Sequence, residues 1–236
     1  MSLFQCLETK LEVVPAPVVL QTPLGNIHLN AMIDGTEITG ESPTNTHRLP
    51  SGGWLAGWHR KAFDLELLVC RPLFTLPVDA PLTDCWAGLW RLRANAMLDT
   101  CTFTAIWEVG YTWEEGGPNS GQFEYTKTWD DGQTEVSIGT DDGDFLAIRS
   151  RRGDGLPTEW ESYFLSSPNQ FDWFWLQSVH IDVGNNGLAA PLPPLKAGGE
   201  CQIHFAVAWS PKSPLGASGF AVARGASEIL AGANCS

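Results

Sequence analysis

The stretch CTFTAIWEVGYTW, residues 101–113, decides the fold class. Cys101, Phe103, Ala105, Trp107, Val109, Tyr111 and Trp113 fall on one parity, and Thr102, Thr104, Ile106, Glu108, Gly110 and Thr112 on the other. Side chains alternate across a strand, so the pattern predicts one apolar and one polar face. The next run, 122–129, repeats it, with Phe123, Tyr125, Lys127 and Trp129 set against Glu124, Thr126 and Thr128. The segment between them, 114–121, holds three glycines and a proline and reads as a loop. Two neighbouring strands of this kind predict an antiparallel sheet packed on one side.

Working outward, Asp131-Gly132 and Asp142-Gly143 predict tight hairpins around strands at 134–139 and 145–150. A strand at 158–165 and a last one around Phe220–Arg224 come from the same reading. Upstream, the apolar runs 11–20 and 25–33 predict strands, and Asp34-Gly35 a turn. Residues 62–70 read as a further strand. Residues 39–61 contain Gly and Pro throughout and predict a long loop carrying Trp54, Trp58, His47 and His59, a candidate lid. Trp86, Leu89, Trp90, Ala94, Met97 and Leu98 recur at helical spacing behind Thr83 and Asp84, so 86–98 predicts a helix. About ten short strands with frequent turn signals predict an all-β fold: an antiparallel β-sandwich or jelly roll, or a wide β-barrel, with at most one or two short helices. Residues 1–236 are expected to form a single domain.

Composition narrows the function. The net charge of −13 repels phosphate backbones and anionic lipid surfaces, which argues against nucleic-acid and membrane partners. Residues 108–161 alone hold 13 acidic and 4 basic side chains. No run of ~18 apolar residues predicts a transmembrane helix. The start MSLFQCLETK lacks the basic-then-apolar pattern of a leader, so a cytoplasmic chain is expected, with a secreted one the alternative. The six cysteines show no metal-ligand spacing and are expected as free thiols. A homo-oligomer is left open.

No motif of known mechanism is present, so candidate sites rest on clusters. Residues 173–183 and 201–209 alternate strongly, and a hairpin centred near Leu192 would set His180 opposite His204 and Asp182 opposite Gln202. His180, oriented by Asp182, would be a general base, and His204 an acid or second ligand. No metal or cofactor is expected, although two histidines and an Asp also suit a divalent metal, with His28 as a third imidazole. The same residues suit an ordinary hydrogen-bonded sheet face.

The acidic turns at Asp130, Asp131, Asp141, Asp142 and Asp144 could gather a hard cation, but Asp-Gly is also what tight turns use. Arg149 and Arg151 would share a strand face and could hold an anion. Eleven tryptophans exceed ordinary core needs. Trp54, Trp58, Trp113, Trp129, Trp160 and Trp175 are candidate ligand-stacking residues, with core packing as the plainer account. The expected function is a binding module for a small, partly apolar ligand, a sugar or an aromatic metabolite. A small-molecule enzyme (isomerase, cyclase or hydrolase) built on His180, Asp182 and His204 is the alternative.

Overall fold

The computed structural model describes residues 18–76, 79, 81–108, 119–121, 124–165 and 186–233. Its strands are β1 Val19–Thr22, β2 Gly25–Ile33, β3 Thr36–Glu37, β4 Asn45–Arg48, β5 Trp54–His59, β6 Phe63–Cys70, β7 Asp84–Ala94, β8 Cys101–Trp107, β9 Asn119–Gly121, β10 Glu124–Asp130, β11 Thr134–Asp141, β12 Gly187–Leu192 and β13 Glu200–Pro211. Its helices are α1 Gly143–Arg152, α2 Glu161–Leu165, α3 Ala217–Ala221 and α4 Ala226–Gly232, with a 3-10 turn at Thr158–Trp160. That is more helix than the sequence predicts, though every piece is short.

The strands form two antiparallel sheets. One runs β1-β2-β8-β12 with β3 beside β2, and the other runs β4-β5-β6-β7-β13-β11-β10-β9. Among the described residues neither order closes on itself, so the molecule is a sandwich and the barrel alternative is set aside. The inner faces meet in one apolar core that joins Ile27, Leu29 and Phe103 of the smaller sheet to Trp58, Leu65 and Trp90 of the larger. Gly88 marks how closely the layers approach, since a Cβ there would lie 2.4 Å from Leu29 Cδ1. A second apolar cluster covers part of the larger sheet's outer face. There α3 and α4 lay Ala221, Val222 and Ile229 on Leu55, Leu68, Ala87, Leu89, Ala206 and Ala208.

Five local expectations change. Residues 86–98 supply the central strand β7, not a helix. It lies between β6 and β13 and is buried on both faces, which erases the two-residue period and leaves an apolar run open to either reading. The expected loop 39–61 contains β4 and β5, joined by a turn in which Leu49 N donates to Gly53 O and Gly52 adopts φ +89°. Asp142-Gly143 begins helix α1 instead of turning a hairpin. The Asp142 carboxylate accepts from Phe145 N at 2.8 Å as an N-cap, and basic residues occupy the last turn. Residues 158–165 are the 3-10 turn and α2, and α3 covers the start of the expected strand at Phe220.

Other turns form as read. Asp34 and Gly35 both take positive φ between β2 and β3, as a tight hairpin requires. Asp131 Oδ1 accepts from Gln133 N and Thr134 N between β10 and β11. Cys85, Cys101 and Cys201 are buried free thiols, and Cys70 is buried with its Sγ donating to Ile229 O at 3.1 Å. Among the described residues no helix is long and apolar enough to cross a membrane.

Candidate functional site

The register of the larger sheet places charge at one end of its outer face. Glu66 pairs with Arg91 and Arg91 with Gln202, while the next row joins Asp64, Arg93 and Glu200. Two residues along β7 in the other direction, the row becomes Leu68, Leu89 and His204. Helix α4 covers the apolar rows, and the polar rows floor a cleft of about 550 Å³. Gly155, Leu156, Pro157 and Glu159 form one wall, and Leu195, Lys196 and Gly199 the other. Leu230 of α4 closes one side.

Arg91 is the anchor of the floor. Its Nη2 donates to Glu200 Oε2 at 2.6 Å, and its Nη1 lies 3.7 Å from Glu66 Oε2. The Arg91 and Glu66 side chains are each only 6% exposed, whereas Glu200 is 39% exposed. Burial pushes the Glu200 carboxyl up, but the Arg91 hydrogen bond and charge outweigh it and hold Glu200 below its ordinary range. A carboxylate held ionised beside a fixed guanidinium offers strong acceptors next to strong donors.

The walls are braced. Trp160 Nε1 donates to Pro194 O at 3.3 Å beneath them, and Lys196 Nζ donates to Glu159 Oε1 at 3.2 Å across the rim. Arg149 ties the 153–155 turn to the sheet. It pairs with Asp141 and donates to Gln202 O at 3.0 Å and Asp154 O at 3.2 Å. Gly155 sits in this brace at φ +65°, where a Cβ would approach Gln202 Oε1 at 3.0 Å and Arg149 Nη2 at 3.1 Å. Only glycine meets both constraints without strain. Arg149 and Arg151 therefore do not share a strand face. Arg149 is buried in the brace, and Arg151 pairs at the surface with Glu161 on α2.

The expected histidine cluster lies partly outside the described residues, which do not include His180 or Asp182. His204 is 1% exposed, and its Nδ1 stands 3.7 Å from Asp141 Oδ2 without a hydrogen bond. Burial lowers its pKa, the Arg149 charge adds to the effect, and Asp141 opposes it. The other strand of the expected hairpin, 173–183, lies outside the described residues. On β13, His204 pairs with Leu89 and Gln202 with Arg91, while the far edge takes β11 and, at Gln202 N, the Gly155 carbonyl. His28 belongs to the other sheet and lies 3.8 Å from Glu108, so it does not join His204. Among the described residues no three His, Cys, Asp or Glu side chains group as a metal site.

Of the six candidate tryptophans, Trp54, Trp58, Trp129 and Trp160 pack in the core between the sheets. Trp58 Nε1 donates to Glu41 O at 3.0 Å. Trp113 and Trp175 lie outside the described residues. The acidic turns are also separated: Asp130 holds Lys212, Asp141 holds Arg149 and Asp142 caps α1. Sequence reading missed Glu66, Arg91 and Glu200. Their signal is charge at 91 and 93 inside an apolar run, visible only once that run is a strand. A further buried ionisable group, Lys127, shares a parity with Tyr125 and Trp129, and burial pulls its ammonium down to about 8.

No protein-family model matches the chain, and no curated protein does. Among solved structures, a putative kojibiose phosphorylase from human microbiome is similar at a TM-score of 0.48 with 8% identity over 88% of this chain. The match takes in 26% of that chain, so this protein spans about a quarter of its length.

Proposed function

We propose that this chain is a binding module for a small, partly apolar ligand, a sugar or an aromatic metabolite, and that the ligand sits in the cleft floored by Arg91, Glu200 and Gln202. Residues 1–236 act here as a single all-β domain, with no cofactor in the site. One observation carries the reading: a concave cleft sets aliphatic surface at Pro157 and Leu230 beside a few polar groups held in fixed positions. Pro157 and Leu230 would take the apolar part of a ligand, while the floor would fix its orientation. The braces on both walls support a site formed before the ligand arrives, which reduces the ordering cost of binding.

The test is a fragment screen by amide-resolved NMR. Binders should shift the backbone resonances of Gly153, Gly155 and Gly199, which line the cleft. Leu230→Trp, which fills the cleft from α4, should abolish those shifts while the melting temperature stays near that of the parent. A screen whose hits all map elsewhere, or hits indifferent to Leu230→Trp, would sink the proposal.

A further inference from the structure

Resting on that binding role, we propose that the ligand is a neutral polyhydroxylated molecule, a pyranose sugar or a sugar-like polyol, and that Arg91, Glu200 and Gln202 on the cleft floor determine this choice. Three features of the cleft support the choice over an aromatic or a charged ligand.

The first is the mixture of donors and acceptors. A hydroxyl donates one hydrogen bond and accepts two, so a diol is best met by donors and acceptors lying side by side. Arg91 supplies only donors, Glu200 only acceptors, and Gln202 both. The register fixes them on adjacent strands, with Gln202 directly opposite Arg91. The 2.6 Å bond between Arg91 and Glu200 holds guanidinium and carboxylate in one orientation, so both groups are aimed before a ligand arrives.

The second is charge. The cleft is lined by two cations, Arg91 and Lys196, and two carboxylates, Glu159 and Glu200. Each of these charges has an opposite partner within the lining. At the floor an anion or a cation would have to displace the Arg91–Glu200 pair, which is costly because the Arg91 side chain is only 6% exposed. A neutral hydroxyl can join a pair without breaking it.

The third is the walls. Among the described residues no aromatic side chain lines the cleft, so a flat aromatic ligand finds no ring to stack on. Pro157 and Leu230, both half-buried, instead offer aliphatic surface on which a sugar's C–H face could rest.

The experiment titrates the full chain with maltose, cellobiose, trehalose, glucose, glucose 6-phosphate, indole and tryptophol, monitoring the amides of Gly153, Gly155 and Gly199. At least one neutral saccharide should shift all three. Gln202→Ala, which removes a side-chain amide while keeping the strand's backbone bonds, should weaken that binding about 2- to 10-fold. Arg91→Lys should weaken it further, because an ammonium cannot reproduce the guanidinium fork. Both variants are checked by melting temperature, and Gln202→Ala serves where Arg91→Lys fails to fold. Indole or tryptophol shifting these amides while every saccharide is silent overturns the inference and leaves the binding role intact. So does glucose 6-phosphate binding more than about tenfold tighter than glucose, a gap of roughly 1.4 kcal/mol. Silence from this whole panel overturns the inference too, and if the fragment screen also finds no cleft binder, the binding role falls with it.

Discussion

Replacing Arg149 with methionine should be the most damaging single change to the braced wall, and its cost can be worked from the contacts. The Arg149 side chain is 5% exposed and faces Asp141, also 5% exposed. Its remaining donors satisfy Gln202 O and Asp154 O. Methionine keeps most of the packing volume and removes every donor. Asp141 is then left buried with its charge unmatched, and two carbonyls lose a partner. Removing one member of a buried ion pair costs about 3–5 kcal/mol, more than the pair itself contributes. With an m-value of ~2 kcal/mol/M, the urea midpoint should fall by roughly 1.5–2.5 M. The double variant Arg149→Met with Asp141→Asn should regain part of the loss, because no unpaired charge remains, and a double-mutant cycle measures that recovery. Urea unfolding monitored by tryptophan fluorescence suits a chain with eleven tryptophans. A midpoint shift below ~0.5 M, or a double variant no better than the sum of the singles, would refute the account of Arg149 as a buried brace.

The same contacts set several other outcomes. Gly155→Ala should cost roughly 1–2 kcal/mol, since alanine at φ +65° is strained and its Cβ crowds Gln202 and Arg149, and a thermal melt reads it directly. Trp58→Ala, at a fully buried site between the sheets, should cost about 3–5 kcal/mol in urea unfolding, whatever its effect on ligand. Lys196→Ala should change stability by less than ~1 kcal/mol, because its pair with Glu159 is solvent-exposed, so an effect beyond that would show that the rim bridge is structural. His204 has a folded pKa below its unfolded value of 6.5, so the unfolded chain takes the proton first. Its contribution is complete above pH 6.5 and is lost as pH falls toward the folded value, with a slope of up to ~1.4 kcal/mol per pH unit. A folded His204→Leu variant should flatten that part of the stability–pH curve, and an unchanged curve would contradict a buried neutral imidazole.

Strand alternation is legible only where one face of a strand is polar. Residues 101–107 alternate because β8 has its inner face in the core and its outer face partly exposed, and the sequence carries that difference residue by residue. The central strands β5 and β7 pack against the opposite sheet on one side and carry the outer apolar cluster under α3 and α4 on the other. Both of their faces are apolar over much of their length, so period two disappears, and a helix at 86–98 or a loop at 39–61 becomes an equally good reading. The Asp-Gly dipeptides fail for a different reason. A short carboxylate that captures nearby amides serves both a hairpin turn, as at Asp131, and a helix N-cap, as at Asp142. Only the residues downstream of the dipeptide separate the two cases.

The cleft is hidden in the sequence because its parts are distant along the chain and joined only by register. Glu66, Arg91 and Gln202 sit on three strands, and no spacing in the sequence connects them. One slip of β7 by a single residue would turn Arg91 into the core and Trp90 outward. The register is therefore held by the core side: Trp90 packs between Trp58 and Phe103 at centroid distances of 6.1 and 5.6 Å. Among the described residues, Trp58 and Trp90 thus support the site without lining it. Their bulk on the inner face fixes which residues of β6, β7 and β13 come together on the outer face. A tryptophan-rich chain read as a stacking platform uses, at the described positions, those rings to lock a polar row in place.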